Sequence, residues 1–568
     1  MYLFRIFRSF LPLHNPIGFG ASDFVVLAVA VLMAGLLLGS AYVLPYLREL
    51  SRQPRVCFGL LFCLAVGMRL ALLPQSPVPI PSGADDFGYL LLGDTLAHFR
   101  LANATHPLHS FFEAVFILQE PKYASIFPLG QGLFLAMGEI LFRNAWVSVL
   151  ISCGLFCAAC YWMLRGWVTP AWALAGGLLA AVEFGPLTSW VNSYWGGYVS
   201  AIAGCLVFGA LPRVKESARI GNGVLLGAGL SLQILTRPFE AVFLAIAAIV
   251  YLLWPQRASW RIAAVAGGVV VAALGLTAAQ NRAVTGSWFT MPYMESRYQY
   301  GVPATLTIQP NALPHRRLTA EQELDYRAQA AVHGPETDTL AEYGSRLAYR
   351  FRYLRFFFLP PLYFAMLPFL PSLRQWRYAW LAGTALLFAL GTNLYPYFYP
   401  HYVAALTSVF VLIGIKGLAR LQDPSRNYLA LSCAAGFVFW FGIYASGDKD
   451  LLAMSDFQSW YYINRGDLQG RESVDRMLAR ETGPQLVFVR YSPAHRFEEW
   501  IHNEADIDAA RTVWANDAGA EENEKLIHYY PRRKVWLLEP DARPVALVPY
   551  TAQQQQQQPT ASPFETVH

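Results

Sequence analysis

Charged side chains are scarce in this sequence: Asp, Glu, Lys and Arg together make up 14% of its 568 residues, near half of the usual share of about 25%. Apolar residues reach 55%. So few charges do not cover a soluble surface of this size, which excludes a nucleic-acid binder, a disordered chain and an ordinary cytosolic enzyme. Lipid must solvate much of the chain. Cysteine is sparse too, and all seven lie in apolar segments, so no disulfide framework is implied. Cys153, Cys157 and Cys160 recur at helical spacing inside one apolar run without a His or carboxylate, which reads as core packing rather than a metal site.

The few charges are unevenly placed. From Ala445 to the end there are 13 basic and 19 acidic residues, a net −6, so the preceding part carries +11 of the whole-chain +5. A basic, apolar region therefore precedes an acidic, water-soluble one. Windows of about 20 apolar residues give about twelve candidate spans, near 22–47, 56–74, 144–164, 171–187, 195–211, 221–236, 238–254, 262–282, 352–370, 378–393, 401–419 and 428–445. With the loop at 48–55 inside, alternation collects Arg48, Arg52, Arg55, Arg165, Arg213, Lys215, Arg219, Arg257, Arg261, Arg374, Arg377, Arg420 and Arg426 on the cytoplasmic side. Three long polar stretches then lie outside: 75–128, 283–350 and everything after 445.

Arg5 and Arg8 run against this scheme, either because the short tail translocates or because MYLFRIFRSF lies flat at the interface. No cleavable signal is evident. Residues 446–550 are expected to form a small α/β domain, with a helix near 471–482 and strands at Leu486–Tyr491, Thr512–Ala515, Val535–Leu538 and Val545–Val548. That region has no glycine-rich phosphate loop, which favours a supporting or acceptor-docking role. Residues 551–568, with Gln at 553–558, read as a disordered tail.

Polar groups concentrate on the outer side. Asp85 and Asp86 follow a Pro/Gly turn and open a helical stretch from Phe87 to Phe99. Adjacent carboxylates repel, which raises one pKa or calls for a cation, and this suits a general base, a metal ligand, or both. Asp85 is equally placed to cap the helix that follows.

Lys122, Arg237, Arg297 and Arg346 are candidates for holding a lipid phosphate, against lipid snorkelling for Lys122 and an internal ion pair with Glu240 for Arg237. The Arg346, Arg350, Arg352, Arg355 cluster also suits head-group contact. Candidate cavity residues are His106, Glu113, Tyr123, Glu183, Asn192, Tyr194, Trp195, Glu240 and His401. The histidines near Glu113 lack the i, i+4 geometry of a zinc motif, and the tyrosines at 395, 397 and 399 also fit an interfacial belt.

The run DDFGYLLLGDTLAHFRLANATHP, with PKYASIFPLGQG behind it, resembles the first outer loop of the GT-C superfamily of integral-membrane glycosyltransferases, in its protein mannosyltransferase-like and aminoarabinose transferase-like branch. NSYWGG at 192–197, LTRPFEA at 235–241, PYMESRYQYGVPA at 292–304, FYPHYVAA at 398–405 and VRYSPAHRFEEWIHNEADID in the tail are similar to the same group. The resemblance implies a polytopic α-helical membrane protein, a GT-C-like transmembrane domain over 1–445, and inverting sugar transfer on the non-cytoplasmic face of the inner membrane.

It also implies a polyprenyl-phosphate sugar as donor, a protein, lipid or glycan as acceptor, and Asp85 or Asp86 in the catalytic position. Many relatives have Asp-Glu there, so the Asp-Asp of this chain leaves open which carboxylate reaches the acceptor and whether Mg or Mn bridges the pair. A transporter or lipid flippase shares the span count but would place charges near the midplane and show an internal repeat, and none is found. An envelope-glycan ligase or polymerase is the remaining alternative.

Overall fold

The computed structural model describes residues 21–36, 43–217, 219–255, 258–334, 336–448, 450, 452, 467, 470–496 and 498–550. The N-terminal MYLFRIFRSF segment, Arg257 and the Gln-rich tail at 551–568 lie outside the described residues. Helices run in the order α1 Ala21–Leu36, α2 Val43–Leu50, α3 Pro54–Ala71, α4 Ala84–Ala97, α5 Leu129–Phe142, α6 Ala145–Leu164, α7 Pro170–Phe184, α8 Tyr198–Glu216, α9 Ile220–Thr236 and α10 Pro238–Leu253. They continue with α11 Trp260–Thr285, α12 Pro292–Tyr300, α13 Ala320–His333, α14 Leu340–Arg350, α15 Tyr363–Phe369, α16 Trp376–Thr392, α17 Thr407–Leu418, α18 Ser425–Ser446, α19 Arg471–Arg480 and α20 Ala520–Tyr529.

Local chemistry sets many of these ends. The Asn144 side chain accepts from Trp146 N at 3.0 Å and starts α6, while Thr319 with Gln322 and Thr339 with Glu342 form capping boxes on α13 and α14. Helix α6 is apolar all round and buried on most of its surface, as a helix inside a bundle must be.

Among the described residues six helices are long and apolar enough to cross a membrane, or seven counting one bent pair, and α5 is among five shorter apolar helices. The chain is a multi-pass membrane protein, and its helices depart from the roughly twelve candidate spans in two places. Helix α5 falls in a stretch with no expected span. The window at 352–370 is broken: Pro360, Pro361, Pro368 and Pro371 interrupt the helical ladder, and the segments Leu340–Phe356 and Pro360–Arg374 meet at 118°.

The basic loops converge at one end of the bundle. Arg213 Nη2 donates to Trp162 O at 2.8 Å, Lys215 Nζ to Leu252 O at 3.0 Å and Arg377 Nη2 to Trp167 O at 3.2 Å, and Arg426 lies over the Trp172 ring. A buried cation inside the bundle, Arg69, donates to Asn192 Oδ1 and to the carbonyls of Ser76 and Pro77. Three partners at 2.9–3.1 Å satisfy it where lipid offers none.

The C-terminal region folds into a four-stranded sheet, β4-β3-β5-β6, after the small hairpin of β1 Ile117–Leu118 and β2 Ala124–Ser125. Strand β3 Gln485–Val489 runs parallel to β4 Thr512–Asn516 and β5 Lys534–Glu539, and β6 Ala546–Pro549 pairs antiparallel with β5. All five β3 residues are buried, as a central parallel strand covered on both faces requires. Its core is continuous with α4 and the segment that follows it: Leu91, Phe111, Phe112 and Tyr123 pack in one cluster with Val474, Phe488, Trp500 and Trp514.

Candidate functional site

A cavity of about 390 Å³ is lined by residues of α4, the β2–α5 turn, the α9–α10 junction, α12, α13 and the tyrosine-rich segment before α17. Its charged lining consists of Asp85, Arg237, Glu240, Arg297 and Asp325. Aromatic residues supply much of the wall, including Tyr89, Phe127, Trp195, Tyr293 and Tyr402.

Asp85 and Asp86 stand in the first turn of α4, after the turn at Gly83. A helix rotates successive residues by about 100°, so the two carboxylates face different surroundings. Asp85 lines the cavity, and its exposed surface faces that space. Asp86 does not line it: Oδ1 accepts from Tyr194 N at 2.8 Å and Oδ2 from Ser82 N at 3.4 Å. Burial, then the Asp86 charge, push the Asp85 carboxyl up to about 7, against the pull of Arg237. Asp86 is pushed up to about 6 by burial, opposed by the amides of Tyr194 and Ser82. Asp85 shows accessible surface yet behaves as buried because protein surrounds the cavity, and a ligand that expels water there strengthens the shift.

Arg237 sits where α9 ends and Pro238 starts α10, with Nη1 4.0 Å from Glu240 Oε1 and its guanidinium 4.8 Å from the Tyr402 ring centre. The internal pair with Glu240 is therefore present, and both residues line the cavity. Gly130 permits this junction to approach α5, because a Cβ there would overlap the Thr236 hydroxyl and lie 2.9 Å from Thr236 N. Arg297 Nε and Nη2 donate to the carbonyls of Pro303 and Ala304 at 2.9 and 3.2 Å, which fixes the guanidinium at the cavity edge. His401 stacks on Tyr399 at 5.5 Å and meets Trp195 edge-on at 4.7 Å, and all three line the wall.

Several candidates from the sequence stand elsewhere, most of them with partners of their own. Arg346 pairs with Asp338 and donates to Thr307 and Asn393 O, while Arg350 donates to the carbonyls of Thr392, Tyr395, Pro396 and Tyr397. Both brace the tyrosine-rich segment from behind. Lys122 is exposed outside the cavity.

His106 contacts Asp508 and Tyr530, and Tyr123 donates to Asn503 O at 3.0 Å, so both meet the C-terminal region. Glu113 joins the outer loops, accepting from Tyr300 Oη at 2.7 Å and lying 3.5 Å from Arg316. Asn192 holds Arg69. The Tyr194 hydroxyl donates to Pro79 O at 2.9 Å. Glu183 is buried on α7 in the electrostatic neighbourhood of Cys433.

Asp325, on α13, is a charged cavity residue that sequence reasoning missed. Its Oδ2 accepts from Gln329 Nε2 at 2.8 Å, and Gln329 Oε1 accepts from Ala304 N at 2.8 Å. Burial pushes this carboxyl up to about 8. In TAEQELDYRAQAAVH the spacing of Glu321, Asp325 and Gln329 at i, i+4 and i+8 marks one helix face. A polar face ordinarily reads as solvated, and here that face is buried.

The two carboxylates between which the sequence leaves a divalent cation open face different surroundings: both Asp86 oxygens accept backbone hydrogen bonds beside α4, while Asp85 opens into the cavity. Among the described residues no group of three or more His, Cys, Asp or Glu is arranged to hold a metal ion.

No family model matches the chain, and no curated protein matches its sequence. Solved structures do match. ArnT from Cupriavidus metallidurans bound to undecaprenyl phosphate aligns with a TM-score of 0.50 at 11% identity over 85% of this chain and 93% of that one. The apo form of the same protein aligns at 0.47 and 12% identity, over 83% and 90%. An Archaeoglobus fulgidus oligosaccharyltransferase in complex with Zn and sulfate aligns at 0.43 and 12% identity, over 84% and 67%. The chain shares the membrane fold of ArnT and carries a small C-terminal α/β region, and at such identities the likeness is one of fold alone.

Proposed function

We propose that this protein is an inverting membrane glycosyltransferase that moves a sugar from a polyprenyl-phosphate donor to an acceptor on the extracytoplasmic side of the inner membrane. One observation carries the reading: a carboxylate, Asp85, and two arginines, Arg237 and Arg297, open on the same aromatic-walled cavity. A sugar on a lipid phosphate presents an anion at one end and an apolar-faced ring at the other, and this cavity offers both complements. The likeness of fold to a protein solved with undecaprenyl phosphate supports it.

In this reaction the Asp85 carboxylate removes the proton from the acceptor nucleophile as that atom bonds to the anomeric carbon from the face opposite the phosphate. The bond from the anomeric carbon to the phosphate oxygen breaks, and polyprenyl phosphate leaves with the electron pair. Arg237 and Arg297 stabilise the charge that develops on the leaving phosphate. Trp195, Tyr399 and His401 form a wall on which the sugar ring packs. Asp86 acts by holding α4 against the backbone of Tyr194, and no step is routed through a metal.

The test is a cryo-EM structure of the full chain in nanodiscs with undecaprenyl phosphate. The reading expects phosphate density within hydrogen-bond distance of Arg237 or Arg297 on the side of Asp85. Saturating lipid with density only outside this cavity contradicts it.

A further inference from the structure

The helices that bring Asp85 and Asp325 into the cavity come from separate outer loops, and the C-terminal region grips both. On α4, Phe87 is buried between two of its side chains: the His502 ring stacks at 4.6 Å and the Arg471 guanidinium lies 4.7 Å from the ring centre. Arg471 also lies 4.3 Å from the Trp500 ring and donates to Glu499 O, so it cannot shift without disturbing its own support. Burial and the neighbouring Arg471 hold the His502 imidazole down to about 3, which keeps the stacked ring neutral. Two turns further along α4, Asp94 Oδ2 accepts from Ala505 N at 2.6 Å.

On α13, Glu321 stands one turn before Asp325, with Oε2 2.9 Å from His495 Nε2. The other ring nitrogen of His495 lies 2.8 Å from Asp541 Oδ1, just after β5. His495 and Glu321 are both almost wholly buried, at 3% and 2% side-chain exposure, so water does not screen this contact. Between the two helices, Glu499 Oε2 accepts from Val115 N at 3.0 Å.

We propose that the C-terminal region is a positioning element of the transfer reaction, with Arg471 and His495 as positioning residues that fix α4 and α13 so that Asp85 and Asp325 face one substrate. The inference rests on the transferase reading of the cavity. It differs from a docking or anchoring role in a measurable way. Arg237, read as a phosphate ligand, stands on the α9–α10 junction, which none of these contacts holds, whereas Arg297 is tied to α13 through Ala304 and Gln329. Loss of the clamp therefore leaves lipid phosphate bound and slows the chemistry.

The experiment uses the full chain in nanodiscs, unchanged and as Arg471→Met, His495→Ala, His495→Gln and Asp85→Asn. Undecaprenyl phosphate is the binding probe, and its release from a panel of undecaprenyl-phosphate sugars is the turnover probe. In Arg471→Met and His495→Ala, kcat is expected to fall about tenfold or more while probe affinity stays within about twofold. His495→Gln, which keeps a polar side chain between Glu321 and Asp541, recovers part of the loss. Amide exchange is expected to quicken in Ala84–Ala97 and Ala320–His333.

Unchanged kcat in both variants overturns the proposal. So does loss of binding together with turnover, which would assign these contacts to folding alone. Full turnover in Asp85→Asn would instead overturn the reading of the cavity itself.

Discussion

The backbone amide of Tyr194 donates to Asp86 Oδ1 at 2.8 Å, and this bond holds the second carboxylate of the acidic pair away from the cavity that Asp85 enters. In the proposed reaction Asp85 does the chemistry, while the bonds of Asp86 to the amides of Tyr194 and Ser82 give it a structural place. Replacing Asp86 by Ala leaves the amides of Tyr194 and Ser82 without their acceptor. A loss of about 1–3 kcal/mol in unfolding free energy follows for such buried donors, read as a lower melting temperature in detergent or nanodiscs.

The pH dependence of turnover has a defined sign. A base must be ionised, and the Asp85 carboxyl is raised to about 7 by burial and by Asp86. Turnover should therefore rise with pH through about 7 and level off above it. A rate that is flat from pH 5 to 9 would separate Asp85 from the rate-limiting proton transfer.

Asp325 gives a stability prediction of similar form. Its folded pKa is raised to about 8, so the folded state holds a proton that the unfolded chain has lost. This contribution to stability is fully present below the unfolded value and declines as pH climbs to about 8. Asp325→Asn keeps a neutral side chain at every pH. It should flatten the decline in melting temperature between pH 5 and 8, and an unaltered slope would count against the buried placement.

Arg237 and Arg346 offer a paired contrast. Arg237→Gln removes a cavity cation and should raise the dissociation constant for undecaprenyl phosphate by about tenfold or more, as loss of a charged hydrogen bond of about 1.5–3 kcal/mol implies. Because Glu240 lies 4.0 Å from Arg237 and is buried, the double change with Glu240→Gln restores folding stability but not affinity. Arg346→Gln breaks the bonds to Asp338, Thr307 and Asn393. It should lower stability and leave lipid affinity unchanged.

Much of the membrane architecture could be read from apolar windows, because lipid demands about 20 apolar residues wherever a straight helix crosses it. That ruler fails where prolines break the run, as at 351–374, and where a short helix such as α5 lies beside polar loops. The four C-terminal strands were readable because alternating and β-branched runs stand between turns. In the site, Asp85, Arg237 and His401 were legible because charge or imidazole beside an apolar segment demands a reason. Asp325 was not, since nothing in a polar helix announces that its carboxylate face is buried against a second loop. Arg346 and Arg350 look free in sequence, whereas Asp338, Thr307 and Asn393 O hold Arg346 and carbonyls of the 392–397 segment hold Arg350.

The central claim is that Asp85, and not Asp86, is the base for transfer. It is tested most directly by single-turnover release of undecaprenyl phosphate from sugar-loaded donor by the unchanged chain, Asp85→Asn and Asp86→Asn in the same nanodiscs. The account predicts that Asp85→Asn binds undecaprenyl phosphate normally and loses about 10²–10⁴-fold in rate, while Asp86→Asn keeps a rate much nearer the original with lower stability. Transfer undiminished in Asp85→Asn, or abolished only in Asp86→Asn, would contradict it.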